Sequence, residues 1–226
     1  MRTSAVLRLP SGNQVLIDAT TDLRHQALRA GIRRVHAVLF THAHADHILG
    51  IDDLRAYNFL QRTAIPCYGF ASTLDSIRRT FWYVFHPDET YQGSSAPRLQ
   101  FNTLHPYEPL SIEGVPILPL ELLHGRTVVA GFRIGDLVYA TDCNAIPQRS
   151  WEAMRGARTL ILDALRYNPH PTHFTIPQAE QLSAELGIPQ TYLIHLSHDV
   201  DYQTVSKNLR SGVELAYDGL ELPIRL

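Results

Sequence analysis

The sequence predicts a single domain of the α/β class that spans residues 1–226. Short apolar stretches typical of strands alternate with stretches of helical spacing along the whole chain, and this alternation is typical of α/β proteins. Of the 226 residues, 45% are hydrophobic and 19% are charged, which is enough apolar material for one large core. No linker-like stretch separates the elements, so we predict one domain.

The predicted elements begin with a hairpin and continue as an alternation of helices and strands. Turn residues 10–13 separate two strand-like segments, 3–9 and 14–18. The later elements are defined by apolar runs, by helical spacing, or by an opening proline or a terminating glycine. They are a helix over 22–31, a buried strand over 36–40, a helix from 46 to about 60, strands over 115–120, 131–134, 137–141, 159–162 and 192–195, and helices over 177–186 and from about 202 to 209.

One segment, residues 77–107, has no clean period but is rich in aromatic side chains. The segment can be a satellite hydrophobic cluster beneath a long excursion, or it can provide a wall for the substrate or a contact between subunits. Its aromatic residues are Phe81, Trp82, Tyr83, Phe85, Tyr91, Phe101 and Tyr107.

Charge and cysteine content exclude several classes of protein. The formal net charge is −2, so the chain lacks the basic excess that holds a polyphosphate backbone, and we expect no nucleic-acid partner. Cys67 and Cys143 are too few for a disulfide framework or a cysteine-based zinc module. We find no apolar run of membrane-spanning length and no signal segment, so we expect a cytoplasmic protein without a membrane partner.

The strongest chemical motif is H-x-H-x-D-H over residues 42–47, at the predicted junction of a strand and a helix. His42 and His44 flank one small residue in an extended stretch, so their side chains can converge on one ion. Asp46 and His47 begin the helix and can turn towards a second ion nearby. Imidazole and carboxylate are ligands that zinc, manganese and iron all accept. The motif therefore predicts a metal site.

Further metal-competent side chains follow other apolar strands. His124, Asp142 and His195 each come directly after an apolar run, where buried ligands are usually presented. Each of them alone would more often be a capping or hydrogen-bonded residue, but together with the motif they predict the remaining ligands. Asp18 also ends a strand, and we predict that it orients a ligand histidine from behind.

This order of residues resembles the metallo-β-lactamase-fold hydrolases. Within that superfamily the chain most resembles the branch that contains the phosphoribosyl cyclic phosphate phosphodiesterase of bacterial phosphonate degradation, and the resemblance spans nearly the whole chain. It implies a four-layer αββα sandwich with the metals at one edge of the two sheets. The stretches that carry it are Thr41–Gly50, Leu123–Gly125, Gly131–Phe132, Thr141–Asp142, Ile194–His198 and Ala216–Gly219.

The resemblance also implies a division of the ligands between two divalent ions. One metal is held by His42, His44 and His124, the other by Asp46, His47 and His195, and both are bridged by Asp142. A hydroxide between two such ions is the expected nucleophile. Zinc or manganese is the expected metal, with iron as an alternative.

Two histidines beyond the ligands are assigned roles near the same site. The resemblance implies that His173 donates the proton to the leaving alkoxide, so His173 is a predicted catalytic residue together with the ligand Asp46. His198 lies three residues beyond His195 and is either a support for the site from behind its ligands or a structural residue. His25, His36, His86, His105 and His170 lack a convergent pattern and are predicted to be surface or capping residues.

Two departures from the branch bear on this prediction. Only 17 residues precede Asp18, and none of them is a cysteine, which leaves open whether the sheet has its usual N-terminal glycine-rich strand and whether a structural zinc is bound. Cys143 directly follows Asp142, and we predict a small buried filler, because no base stands beside it in sequence.

The predicted function is therefore hydrolysis of a small cyclic or nucleotide-like phosphodiester by a dinuclear metal site. The alternatives are a thioester hydrolase of the glyoxalase type, an RNA hydrolase, an iron-dependent oxidoreductase and a non-catalytic metal-binding protein. The low net charge disfavours the RNA substrate, and the oxidoreductases would usually have Glu where His44 stands. The aromatic segment could also provide the contact of a homodimer.

Overall fold

The computed structural model describes residues 1–86 and 96–226, and the chain divides into two compact units, Met1–His105 and Pro106–Leu226. Each unit has its own β-sheet, and each sheet packs with helices around a hydrophobic core of its own. The predicted mixture of strands and helices, arranged in two sheets, is confirmed. None of the helices in the described ranges is both long and apolar enough to cross a membrane.

The first unit has a five-stranded sheet in the order β1-β2-β3-β4-β5. The predicted hairpin is confirmed, because β1 pairs antiparallel with β2, and the remaining neighbours are parallel. The strands are β1 Ala5–Arg8, β2 Gln14–Ile17, β3 Ala37–Leu39, β4 Ile65–Gly69 and β5 Leu99–Thr103. The helices are α1 Leu23–Ala30, α2 Ala45–Ile48, a 3-10 turn Ile51–Leu54, α3 Arg55–Gln61, α4 Ala71–Thr80 and α5 Trp82–Phe85.

The single helix predicted from residue 46 to about 60 is wrong, because the structure divides it at Gly50. The N–H of Gly50 donates to Ala19 O (2.9 Å), and the N–H of Ala19 donates to His47 O (2.9 Å). The Gly50 N–H and the His47 carbonyl, which a continuous helix would bond internally, are therefore bonded to Ala19 instead. A Cβ built on Gly50 would lie 1.9 Å from Thr20 O, which shows how closely the two backbones approach. The break leaves α2 as a short helix that carries Asp46 and His47.

The described aromatic residues of segment 77–107 differ in burial. Phe81 is buried in the core of the first unit, and the rings of Phe85 and Phe101 contact each other with centroids 4.7 Å apart. Trp82 is 61% exposed and stacks on the His86 ring. Part of the segment is therefore the predicted satellite cluster, while the role of exposed Trp82 stays a prediction. Tyr91 lies outside the described residues.

The second unit has a seven-stranded sheet in the order β12-β11-β10-β9-β8-β7-β6. Pairs from β6 to β9 are antiparallel, and pairs from β9 to β12 are parallel. The strands are β6 Leu110–Ile112, β7 Val115–His124, β8 Thr127–Ile134, β9 Leu137–Ala140, β10 Thr159–Asp163, β11 Gln190–Ile194 and β12 Val213–Leu215. The helices are α6 Gln148–Met154, α7 Ile176–Leu186 and α8 Tyr202–Ser206.

The parallel half of this sheet determines where the polar strand-end residues lie. In β9, β10 and β11 the register pairs Ala140 with Leu162 and Asp163 with Ile194, so the three strands end at one edge. The buried, apolar strand interiors make this edge the place where polar side chains emerge. The strand β7 runs four residues beyond its predicted end and has His124 as its last residue.

Candidate metal site

In the first unit, the structure brings three predicted ligand histidines together in the loop between β3 and α2. The ring centroids of His42 and His44 are 4.5 Å apart, and those of His42 and His47 are 4.3 Å apart. His42 and His47 are buried. Asp46 lies in the first turn of α2, with its Oδ2 3.7 Å from His47 Nε2. The predicted convergence of the motif's side chains is therefore present within this unit.

Asp18 lies directly behind this cluster and holds His47. It is fully buried, and its Oδ2 is 2.7 Å from His47 Nδ1. Since a carboxylate oxygen accepts, the proton of the His47 ring lies on Nδ1, and Nε2 presents its lone pair. Burial raises the pKa of the Asp18 carboxyl above its ordinary value, although the interactions with His47 and Thr41 act in the opposite direction.

Thr41 extends this network from Asp18 to His42. The backbone N–H of Thr41 donates to Asp18 Oδ1 (2.8 Å), and its hydroxyl donates to Asp18 Oδ2 (2.8 Å). The Thr41 hydroxyl has thus given its only proton to Asp18. Its contact of 3.0 Å with His42 Nδ1 must therefore be a bond that His42 donates. One carboxylate consequently sets the tautomer of two histidines, and both present Nε2.

In the second unit, Asp142, His173 and His195 form a second cluster at the edge where the parallel strands end. Each offers one ligand atom, and these atoms lie within 4.8 Å of one another. His195 Nε2 is 3.2 Å from Asp142 Oδ2, and the His173 and His195 rings are stacked with centroids 4.9 Å apart. These distances match a group of side chains that can share a cation.

His124 joins the second cluster from the end of β7. Its ring centroid lies 4.7 Å from that of His173, and its Nδ1 is 2.8 Å from the carbonyl oxygen of Thr172. Because a carbonyl only accepts, Nδ1 carries the proton and Nε2 has the lone pair.

Asp163 is a residue of this cluster that the sequence analysis missed. It is the last residue of β10 and fully buried, and its Oδ2 accepts from His173 Nδ1 (2.9 Å) and from the N–H of Cys143 (3.0 Å). Burial raises the pKa of the Asp163 carboxyl well above its ordinary value, Asp142 raises it further, and His195 opposes the shift. Its position at a strand end, like that of Asp18, was the available signal.

Three residues of the two clusters have left-handed backbones. The φ angles are 64° at Asp18, 51° at Asp142 and 59° at His195. Aspartate and histidine adopt this region more readily than most residues, but it is still less favourable than the extended or helical regions. Asp18 and His195 directly follow β2 and β11, and Asp142 lies two residues after the end of β9, so each turn occurs where the chain leaves a strand and the functional side chain emerges.

Two further predictions concern His198 and Cys143. The side chain of His198 is 94% exposed, and its Nε2 lies 3.2 Å from Asp199 Oδ1, so we place His198 outside the cluster. Cys143 is fully buried in the core of the second unit. Burial raises the pKa of its thiol well above the ordinary value, and the charges of Asp163 and Asp142 raise it further, so the thiol is not activated as a nucleophile.

The donor chemistry of both clusters fits divalent metals. His42, His47 and His124 have their Nδ1 atoms turned to protein acceptors, which is the usual state of histidines that bind a metal through Nε2. The carboxylates of Asp46 and Asp142 supply hard oxygen donors beside them. Imidazole with carboxylate suits zinc, iron and manganese.

Comparison with known proteins gives a family model and a similar solved structure. A model described as the beta-lactamase superfamily domain matches residues 13–196. A crystal structure described as a new diphosphatase from the PhnP family is 36% identical in sequence, with a TM-score of 0.90 over 98% of this chain and 83% of that chain.

Two curated relatives are matched over part of their length. An octanoyltransferase of Porphyromonas gingivalis (strain ATCC BAA-308 / W83) is 37% identical over 222 residues, which are 97% of this chain and 44% of that protein. A ribonuclease Z of Bradyrhizobium diazoefficiens is 38% identical over 79 residues, which are 33% of this chain and 26% of that protein. The chain thus spans less than half the length of either relative.

Proposed function

The chain belongs to the beta-lactamase superfamily and to its PhnP branch of metal-dependent hydrolases, and from this premise we propose that it cleaves a phosphoric ester bond in a small substrate. The observation that carries the proposal is the Asp163–His173 pair. The Nδ1 atom of His173 is bonded to Asp163, and the ring stacks on His195, a proposed metal ligand, so we propose that His173 donates the proton to the leaving oxygen.

We propose that seven side chains hold two divalent metal ions, zinc or manganese, with iron as the alternative. The tautomers of His42, His47 and His124 support this proposal. The side chains are His42, His44, Asp46, His47, His124, Asp142 and His195. When bound, such a pair of ions supplies a nucleophile at neutral pH and neutralises the charge that develops on phosphoryl oxygens.

In this proposal His173 acts as an imidazolium, whose Nδ1 proton stays with Asp163 while its Nε2 proton goes to the leaving oxygen, and Asp163 positions the ring. An alkoxide leaving group is strongly basic and gains most from protonation, whereas a thiolate, with a thiol pKa of about 8.5, leaves without it. A buried, carboxylate-oriented histidine is therefore more useful for cleaving a phosphoric ester than a thioester. This contrast favours phosphodiester hydrolysis over the thioester alternative.

The substrate in this proposal is small and is not RNA. The formal net charge of −2 gives no excess of cations for a long polyphosphate chain, although the ribonuclease Z relatives are named for RNA cleavage. A cyclic or nucleotide-like phosphodiester and a diphosphate both present a phosphoryl group and a leaving oxygen, as the name of the PhnP-family diphosphatase indicates for that protein.

Metal content per chain, measured together with hydrolysis of bis(p-nitrophenyl) phosphate, tests the proposal. We expect about two metal ions per chain and turnover that a chelator abolishes and that zinc or manganese restores. A fully metallated protein that cleaves no phosphoric ester would contradict the phosphodiesterase function. A protein that binds no metal would contradict the ligand assignment as well.

The octanoyltransferase relative supports a second candidate function, hydrolysis of an octanoyl ester or thioester. In that protein a region 37% identical to this chain occupies 44% of the length, so it shares a polypeptide with the remainder. Enzymes joined in one chain often act on related compounds. Release of the free thiol from an octanoyl thioester, faster than release of p-nitrophenol from the diester, would favour this second function.

A homodimer remains part of the proposal. The exposed Trp82 and Tyr83 side chains in α5 offer apolar surface for a contact between copies. Light scattering on the wild-type protein and on a Trp82→Ala variant tests this contact, because a monomeric wild type excludes it.

A further inference from the structure

Asn144 lies two residues after Asp142, and nothing above assigns it a role. It is in the segment that follows β9, and its side chain is half-buried. Its backbone N–H donates to Leu123 O (2.8 Å), and its side-chain Oδ1 accepts from the N–H of Gly125 (2.8 Å). Asn144 therefore binds the residues on both sides of the proposed metal ligand His124.

The same side chain also reaches the loop that carries the proposed proton donor. Asn144 Nδ2 donates to the Pro171 carbonyl (3.1 Å), two residues before His173. The carbonyl of the next residue, Thr172, accepts from His124 Nδ1 (2.8 Å). Two consecutive carbonyls of this loop are thus bonded to neighbouring parts of the cluster, and a shift of the loop would break at least one of these bonds.

The two partners determine how the Asn144 amide is oriented. A backbone N–H only donates and a carbonyl only accepts, so the amide oxygen faces Gly125 and the amide nitrogen faces Pro171. An ionised aspartate has nearly the same shape but only accepts, so it would satisfy Gly125 and not Pro171. The position therefore requires a donor and an acceptor on one short side chain, which asparagine supplies.

Close packing and a further hydrogen bond hold the same loop. A Cβ built on Gly125 would lie 2.9 Å from Thr172 Cγ2, so the turn at Gly125 and the loop are in tight contact. The N–H of Phe174 donates to Cys143 O (2.8 Å), which adds a bond just after His173. The loop is therefore bonded to the segment that contains Asn144 both before and after the proposed proton donor.

We propose that Asn144 is a positioning residue that fixes His124 and His173 relative to each other. It acts on the metal ligand through the Gly125 N–H and on the proton donor through the Pro171 carbonyl. The inference rests on the proposed phosphoric ester hydrolysis, in which the donor must lie within hydrogen-bond reach of the leaving oxygen of a substrate bound beside the ligands. A side chain that sets the position of the donor relative to a ligand therefore determines how well the proton is delivered.

Two variants and a control separate the two bonds of the amide. Asn144→Ala loses both bonds, whereas Asn144→Asp keeps the acceptor for Gly125 and loses the donor to Pro171. Asn168→Ala removes an exposed asparagine of the same loop and is the matched control. The measurements are metal affinity by competition with a chromophoric chelator, kcat over diesters whose leaving groups span a range of pKa values, and the urea midpoint of unfolding.

Asn144→Ala should bind metal about 3- to 10-fold more weakly, which is the effect of one lost hydrogen bond. It should also slow diesters with alkyl leaving groups about 10-fold more than p-nitrophenyl diesters, because a misplaced donor matters only where the leaving oxygen needs a proton. Asn144→Asp should keep metal affinity at or above wild type and still show the loss on alkyl leaving groups. Its added negative charge favours both metal binding and a protonated His173, so charge would not explain this loss. Asn168→Ala should match wild type in all three measurements.

The other outcomes contradict the inference. Equal slowing of all diesters by Asn144→Ala, with a lower urea midpoint, would show that Asn144 only supports the fold. Equal loss of metal affinity in both Asn144 variants would exclude its action through Gly125. An active wild type with unchanged values in Asn144→Ala would overturn the inference and leave the proposed function intact. A metallated wild type that cleaves no phosphoric ester would overturn the proposed function and the role at His173, while metal affinity in Asn144→Ala would still decide the role at His124.

Discussion

Asp163 Oδ2 lies 2.9 Å from His173 Nδ1 and 3.0 Å from the backbone nitrogen of Cys143, so one oxygen accepts from both donors. The second bond anchors the carboxyl to the turn that follows Asp142. His173 is thereby positioned relative to Asp142 through two hydrogen bonds and one peptide unit. This arrangement gives the proposed proton donor a fixed direction before any substrate binds.

Replacement of His173 should reveal the proton donor through its dependence on the leaving group. We expect His173→Ala to slow diesters with alkyl leaving groups by about 100-fold or more, and to slow p-nitrophenyl diesters much less, because nitrophenolate needs little protonation. The measurement is kcat over a series of leaving-group pKa values. An equal loss across the series would assign His173 to another role.

Replacement of Asp163 should show whether its hydrogen-bond acceptor, which orients His173, or its negative charge is needed for activity. Asp163→Asn retains an oxygen that can accept from His173 and Cys143 and loses only the charge that favours a protonated His173, so we expect a smaller loss of activity than in Asp163→Ala. Asp163→Ala leaves two buried donors without an acceptor, and it should lose about 2 kcal/mol of stability and show the leaving-group dependence of His173→Ala. Unfolding in urea and the leaving-group series measure the two effects. Similar kinetics for both variants would argue that the charge, rather than the acceptor, matters.

Replacement of Asp142 should remove metal rather than merely slow turnover. If Asp142 bridges both ions, Asp142→Ala should retain less than about one metal per chain after dialysis. Metal analysis and a protein folding check by circular dichroism decide the result, with Asp136→Ala as a control aspartate outside the cluster. Two metals retained in the variant would exclude the bridge.

Replacement of Asp18 should weaken metal binding without removing a ligand. Asparagine tolerates the left-handed backbone at this position, so Asp18→Asn should fold. It lacks the charge that orients His47 directly and His42 through Thr41, and we expect metal affinity to fall about 10- to 100-fold. Competition with a chromophoric chelator measures the affinity. Thr41→Val removes only the relay to His42 and should have a smaller effect.

Replacement of Gly50 tests the reason for the broken helix. Gly50→Ala places a Cβ against the Thr20 carbonyl, where backbone cannot easily move, and we expect a loss of about 3 kcal/mol in the free energy of unfolding. Gly12→Ala is the matched control, since nothing lies within 4 Å of its Cβ and only the left-handed backbone is strained, for about 1 kcal/mol. If the two variants unfold alike, close packing does not explain the break.

Local sequence pattern was sufficient for the features that depend on neighbouring residues. The hairpin of β1 and β2, the end of α1 at Gly31 and the strand ends at Asp18, Asp142 and His195 all follow from short apolar runs and turn residues. The convergence of His42 and His44 follows from their spacing in an extended stretch. Each of these relationships involves only a few residues, and those residues lie close together in the sequence.

The features that sequence pattern missed depend on partners that are distant in sequence. The helix α2 ends before Gly50 because Ala19 and Thr20 approach this glycine closely. The sequence around position 50 contains no signal that predicts this contact with a distant segment. Asp163 matters because Cys143 and His173 meet it at one sheet edge, which requires knowledge of the strand order.

The left-handed backbone at Asp18, Asp142 and His195 lowers the stability of the fold in order to present side chains that the site requires. Glycine at any of the three would relax the backbone and delete a side chain that the site requires. A laboratory population selected only for stability to heat would therefore accumulate glycine or asparagine at Asp142 and His195 and lose turnover, whereas the three hydrogen bonds that Asp18 accepts would preserve that residue. Selection for hydrolysis therefore keeps two carboxylates and an imidazole at positions where the backbone conformation is unfavourable for them.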